Sequence, residues 1–181
     1  MPPYQKINSK GFFVNPGKKK RNTPLLSRER EYYLAERWQN FHDENALHEL
    51  IVSYGRLVGS IAFRYRNYGL STHDLTQEGN IGLLQAAQKF QPDKGVRFST
   101  YANWWVRAAM QDHILRNWSI VRTGTTAAQK SLFFNFRRLK NKITSCTSGY
   151  LPPEHKQQIA DKLGVAYEEV ETMEGRLSGP D

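Results

Sequence analysis

The chain has 181 residues, 39% of them hydrophobic, with one cysteine, a formal net charge of +9 and a sequence pI of about 9.7. One cysteine, Cys146, excludes an internal disulfide framework and a cysteine-cluster zinc site, and no apolar run approaches the roughly 18 residues of a spanning helix. The length allows one medium domain or two small ones, the absence of a signal-peptide core fits a cytoplasmic setting, and the charge calls for a polyanionic partner.

Residues 1–24 read as a flexible basic tail, in which Lys18-Lys19-Lys20-Arg21 has the composition of a localisation signal or phosphate-binding arm and is simplest as a solvated run. Ser27 is the expected N-cap of a first helix that runs to about Asn40. A second helix is expected from Asp43 to about Asn67. Its residues Leu47, Leu50, Ile51, Tyr54, Leu57, Val58, Ile61, Ala62 and Tyr65 form an apolar stripe of helical period. Tyr68-Gly69-Leu70 ends it. Ser71-Thr72-His73-Asp74 has a capping-box pattern and opens a third helix that runs to about Phe90. Gln91 to Gly95 is a turn by composition.

Ser99 or Thr100 is then expected to cap a fourth helix reaching about Trp118. It carries Tyr101, Trp104 and Trp105, which share one face by their spacing. Taken alone, such a cluster is either core packing or a platform for stacking unpaired bases beside phosphates. A fifth helix is expected from about Thr126 to Lys142, with Leu132, Phe136, Leu139 and Ile143 on one side. Residues from Asn141 to Pro153 read as a linker, and two short helices finish the chain. Residues 151–181 hold three basic and seven acidic residues, a net −4, so residues 1–150 carry +13 and are the part suited to a polyanion. No segment alternates with a two-residue period, so the fold class is all-α.

Two blocks carry a resemblance. Asp74-Leu75-Thr76-Gln77-Glu78-Gly79-Asn80-Ile81-Gly82-Leu83, followed by Phe98-Ser99-Thr100-Tyr101-Ala102-Asn103-Trp104-Trp105-Val106-Arg107, resembles region two of the bacterial sigma-70 family, the factors that direct RNA polymerase to promoters. A third block, Gln129-Lys130-Ser131-Leu132-Phe133-Phe134-Asn135-Phe136-Arg137, resembles the signature stretch of the heat-shock sigma factors; Gln129, Phe133, Phe134, Asn135 and Arg137 are the residues in question. The resemblance runs from about Leu25 to Leu177. It implies a helical region-two bundle, with region one-point-two, over residues 25–118, a small three-helix region-three domain over 119–178, and a truncated end at 179–181.

The resemblance also implies roles. Asp74, Leu75, Thr76, Gln77, Glu78 and Asn80 would dock on the beta-prime coiled coil of core RNA polymerase. Gly79 and Gly82, each costing about 1 kcal/mol relative to Ala inside a helix, fit a close approach of another backbone, either that partner or a neighbouring helix. Tyr101 and Trp104 would take bases of the minus-ten element, with Trp105 shared between base and core. Phe98, though part of the DNA-facing set, would pack below and keep the platform rigid. Opening a base step costs about 1.4 kcal/mol on average and stacking a freed base returns about 1–3 kcal/mol, so binding energy can hold DNA open without ATP. Lys89, Lys94, Arg97, Arg107, Arg116 and Arg122 would meet phosphates.

One position departs from housekeeping members, which carry Gln where this chain has Ala108. Gln111, one turn on, is the candidate substitute for reading the upstream end of the element. Phe133 and Phe134 cannot both face one core, so one is a candidate contact; the resemblance ties this stretch to core binding and to control by chaperones or a protease. Ala160, Gly164 and Val170 have helix-turn-helix spacing, but Glu168, Glu169, Glu171 and Glu174 on the second helix would be repelled by phosphates, so the unit reads as structural. Family members continue into a region four, and the chain stops at Asp181 before one, which fits a truncated factor, a fragment or a divergent product equally. The function implied is a heat-shock promoter-specificity factor without cofactor or catalytic step. The alternative is a stand-alone basic DNA-binding regulator. Five scattered histidines and no carboxylate cluster give a nucleic-acid enzyme no support.

Overall fold

Helix starts follow local chemistry at the first two positions. Ser27 Oγ accepts from the Arg30 amide at 3.2 Å and opens α1, Arg28–Phe41. Asp43 Oδ1 accepts from the Asn45 and Ala46 amides at 3.0 and 3.4 Å and opens α2, Glu44–Arg64. Between them His42 takes the left-handed conformation, φ 51°, and its N–H returns to the Trp38 carbonyl. α2 ends at Arg64, short of the expected end at about Asn67; a 3₁₀ turn at Arg66–Tyr68 and Gly69 at φ 78° complete the stop. α3 is Thr72–Lys89, α4 Phe98–Asn117, α5 Ala127–Ile143, α6 Pro153–Leu163 and α7 Tyr167–Ser178. The computed structural model describes residues 26–118, 126–143 and 151–178. Among these there is no strand, so the all-α class holds, and no helix is long and apolar enough to cross a membrane.

The chain divides into two compact units, Met1–Ile114 and Leu115–Asp181. In the first, α2 supplies Leu47, Leu50, Ile51, Tyr54, Val58 and Ile61 to the core, while Leu57 and Tyr65 from the same stripe are only half-buried. α3 adds Leu75, Leu83, Ala86 and Ala87. α4 adds Phe98, Ala102, Val106, Met110 and Ile114, one residue in every four and each fully buried. That row uses one narrow face of α4 and leaves its other faces for something else.

Gly79 and Gly82 explain how α3 and α4 fit. A Cβ on Gly79 would lie 2.2 Å from the Met110 methyl and 2.6 Å from a Val58 methyl. A Cβ on Gly82 would lie 2.7 Å from the Trp105 carbonyl oxygen and 3.0 Å from the Val106 Cα. The close backbone approach is therefore internal, α4 on α3.

In the second unit, Leu132, Phe133, Phe136 and Leu139 of α5 pack with Ile159 and Ala160 of α6 and Val170 and Met173 of α7 in its buried set. Thr126 Oγ1 accepts from the Gln129 amide at 3.3 Å at the start of α5. Gly164, φ 64°, closes α6, and its N–H bonds to the Ala160 carbonyl. The Lys18–Arg21 run, and most of the Asn141–Pro153 linker (residues 144–150), lie outside the described residues.

Candidate nucleic-acid interface and docking surface

α4 does not start as its own sequence predicts. The helix begins at Phe98, and the amides of Thr100 and Tyr101 bond the Arg97 carbonyl at 3.1 and 3.2 Å, so neither Ser99 nor Thr100 is the cap. The side chain at this end is Glu31 of α1. It is buried, and it accepts from Arg97 Nε at 2.7 Å, Arg97 Nη2 at 2.8 Å, the Phe98 amide at 3.4 Å and the Tyr54 hydroxyl. Arg97 also donates to the Leu26 carbonyl at 2.8 Å. The hydrogen bond that Arg97 donates to Glu31 raises the Arg97 pKa further above its already high value. The phosphate-facing part expected of Arg97 thus gives way to a partner inside the protein. A fork-shaped guanidinium suits a buried carboxylate because it satisfies both oxygens at once.

Phe98 is fully buried and stands edge-on to Tyr54 (5.1 Å between centroids) and Phe90 (5.2 Å). It packs the platform from beneath and is not a DNA-facing side chain. Above it the aromatic face is open. Trp104 is 73% exposed. Tyr101 and Trp105 are half-buried, with their rings 6.3 Å apart, and Tyr101 leans on Phe90 at 5.7 Å. The Tyr101 hydroxyl donates to the Lys89 carbonyl at 3.4 Å, and the Lys89 ammonium sits 4.5 Å from the Trp105 ring centroid. The C-terminus of α3 thereby delivers a cation over the Trp105 ring. Lys94, in the turn closed by Gly95, and Arg107 and Arg116 on α4 are exposed. Arg122 lies outside the described residues.

Ala108 is exposed, and Gln111 one turn on is half-buried, its Nε2 donating to the Tyr65 hydroxyl at 3.0 Å. The side chain expected to read a base edge is therefore oriented by a residue at the end of α2, a link that sequence reasoning did not find.

The outward face of α3 is polar. Ser71 occupies the N-cap position without a side-chain bond, so the capping box does not form; Asp74 instead lies 3.5 Å from His73. Asp74 is exposed, and Gln77, Glu78 and Asn80 are half-buried beside it. Asn80 Nδ2 donates to Gln77 Oε1 at 3.3 Å, and Glu78 lies 3.1 Å from His113 of α4. Leu75 and Thr76 belong to the interior: Leu75 is fully buried, and Thr76 is buried with its hydroxyl donating to the Thr72 carbonyl at 2.7 Å. They are corrected out of the docking set. Ile81, outside the expected set, is 49% exposed. Its spacing, seven after Asp74 and four after Gln77, was the signal available for finding it.

The block Gln129–Arg137 lies on α5. Gln129 Nε2 donates to Glu169 of α7 at 2.7 Å. Phe133 is buried, edge-on to Trp118 at 4.9 Å and to Phe134 at 5.0 Å, and Phe134 is half-buried. Asn135 Nδ2 donates to the Ser131 carbonyl at 2.9 Å and its oxygen accepts from Arg138 at 3.0 Å. The Arg137 side chain lies outside the described residues.

The sigma-70 region 2 family matches residues 50–120, which span most of α2, all of α3 and all of α4. The RNA polymerase sigma factor RpoH of Caulobacter vibrioides is 52% identical over 161 residues, 89% of this chain and 55% of the relative. RpoH of Rhizobium radiobacter is 50% identical over 159 residues, 88% of this chain and 53% of the relative. The RNA polymerase sigma-C factor of Myxococcus xanthus is 44% identical over 158 residues, 87% and 53% of the two chains. The chain spans about half the length of the curated relatives it matches. With region two matched and RpoH factors about half identical along most of its length, the chain belongs to the sigma-70 family and, within it, to the heat-shock type.

Proposed function

We propose that the chain is a promoter-specificity factor that joins core RNA polymerase and holds open the minus-ten region of promoters of heat-shock genes. The observation that carries this reading is the platform on α4. A tryptophan side chain in water is costly for a fold to maintain without use, and next to it along α4 the Tyr101 and Trp105 rings pair with each other while the Lys89 ammonium sits over the Trp105 ring. Tyr101, Trp104 and Trp105 take unpaired bases. Lys94, Arg107 and Arg116 meet phosphates, and Lys89 does so beside the stacked base. Gln111 contributes to reading the duplex end of the element. Asp74, Gln77, Glu78, Asn80 and Ile81 dock on the beta-prime coiled coil, with acid complementing a basic partner. The protein works by binding energy alone, in the cytoplasm, with no cofactor, and its level is set through chaperones or a protease.

Permanganate reactivity of unpaired thymines tests the central step. Tyr101→Ala and Trp104→Ala are expected to keep polymerase capture and lose open complexes; normal thymine reactivity in both would sink the base-capture assignment. For docking, Asp74→Ala with Gln77→Ala is expected to weaken capture of core polymerase. Capture equal to wild type would count against that face of α3.

A further inference from the structure

Glu31 is far from the aromatic platform in sequence, yet the start of α4 is built on it. Burying a carboxylate is costly unless its lone pairs are matched. Four donors from three residues converge on this one: the Tyr54 hydroxyl of α2, two nitrogens of Arg97 and the amide of Phe98. The Phe98 amide is among the first N–H groups of a helix, which have no partner within it. Negative charge there also complements the helix dipole. Phe98 is the first residue of α4, and Tyr101, Trp104 and Trp105 follow within two turns, so whatever fixes Phe98 fixes the rotation of the platform about the helix axis.

We infer that Glu31 is a positioning residue for base capture, holding α4 in the rotation that turns Tyr101 and Trp104 outward while Phe98 points in. The inference rests on the base-capture reading above. Buried as it is, Glu31 is out of reach of both polymerase and DNA. Its action passes through Arg97 and the Phe98 amide, so the direction the platform faces is set by α1 as well as by α4.

The test uses the chain reconstituted with core RNA polymerase and fluorescent minus-ten DNA, offered either as duplex or as a pre-opened bubble. Wild type is compared with Glu31→Gln, which keeps the shape but turns an NH₂ toward donors, and with Tyr54→Phe, which removes a single hydroxyl. Polymerase capture and thermal unfolding are read in the same preparations. Bubble affinity is expected to fall about tenfold in Glu31→Gln, the scale of one lost helix cap, and about two- to threefold in Tyr54→Phe. Polymerase capture and duplex binding stay near wild type. Parallel loss of capture, duplex binding and bubble binding, tracking the fall in Tm, overturns the inference, because that is what a merely structural role produces. Unchanged bubble affinity in both variants overturns it as well. If Glu31→Gln does not fold, Tyr54→Phe decides by the same criteria. A wild-type complex that holds the bubble no tighter than the duplex defeats the base-capture reading itself and takes this inference with it.

Discussion

Among the described residues each unit hides one carboxylate, and the two are met differently. Glu31 in the first unit faces a guanidinium fork, a hydroxyl and the Phe98 amide. Glu174 in the second faces two ammonium groups, Lys156 at 3.2 Å and Lys140 at 3.5 Å, together with the Leu151 amide at 2.7 Å. Both combine a cation with a backbone N–H close to the start of a helix. The guanidinium fixes direction as well as charge, whereas an ammonium supplies a point charge that tolerates rotation. Lys156 is itself buried, while Arg97 keeps part of its side chain in water. The first arrangement aims a helix; the second closes a small three-helix unit whose apolar core is modest.

The largest effect that can break this contrast is in the second unit. Lys156→Met strands Glu174 without its nearest cation and is expected to cost about 3–5 kcal/mol, read as early loss of the second unit in urea unfolding followed by circular dichroism. A cost below about 1 kcal/mol would show that Lys140 suffices. Gly82→Ala comes next. The new methyl meets the Trp105 carbonyl, a backbone atom that cannot swing away, so a net loss of about 1–3 kcal/mol is expected despite the helix propensity gained. Gly79→Ala meets the flexible end of Met110 and a Val58 methyl but no backbone atom among its nearest neighbours, so it should cost less, and the order of the two midpoints checks the claim.

Alkaline pH gives a milder perturbation of the same buried pair. Burial pushes the Lys156 pKa down, but hydrogen bonds to Glu171 and Glu174 more than offset it, so the folded value is raised. A raised folded pKa means stability that is fully present at neutral pH and lost as pH climbs through and beyond the ordinary lysine range. The second unit should therefore loosen there before the first, which is visible as loss of Trp118 packing on Phe133 in near-ultraviolet dichroism. The smallest effect belongs to Trp104→Ala. Unfolding midpoints should move by less than about 0.5 kcal/mol, because the ring has little burial to lose, even as stacking energy of about 1–3 kcal/mol per base disappears from DNA binding.

What the residues reveal by themselves depends on how far apart the partners stand. Ser27 and Asp43 cap helices through bonds to amides two or three residues on; Ser27 was legible as a cap, and Asp43 as the start of its helix. So were the glycine stops at 69, 95 and 164 and the all-helical period. The true cap of α4 was not, because Glu31 and Phe98 are 67 residues apart and nothing local marks Glu31 among the other glutamates of α1. For the same reason Ser99 and Thr100, good caps by type, were passed over by the fold. The motif blocks located the right helices but not their faces. Leu75 and Thr76 sit inside because rotation about a helix axis is fixed by neighbours that a motif does not contain. For Trp104 spacing alone left core and platform open, and the inner row of Ala102, Val106 and Met110 is what leaves it exposed.

The glycine contact between α3 and α4 carries a consequence for how this protein can change over time. Helices lined with side chains keep 8–10 Å between their axes and can absorb small slips in that padding. At Gly82 the padding is gone, and α3 rests against the carbonyl of a tryptophan on the other helix. A substitution that nudges α3 to suit one partner therefore moves the aromatic face by nearly as much. The two surfaces share a single mechanical fate, so variation that reaches either helix core is felt at both.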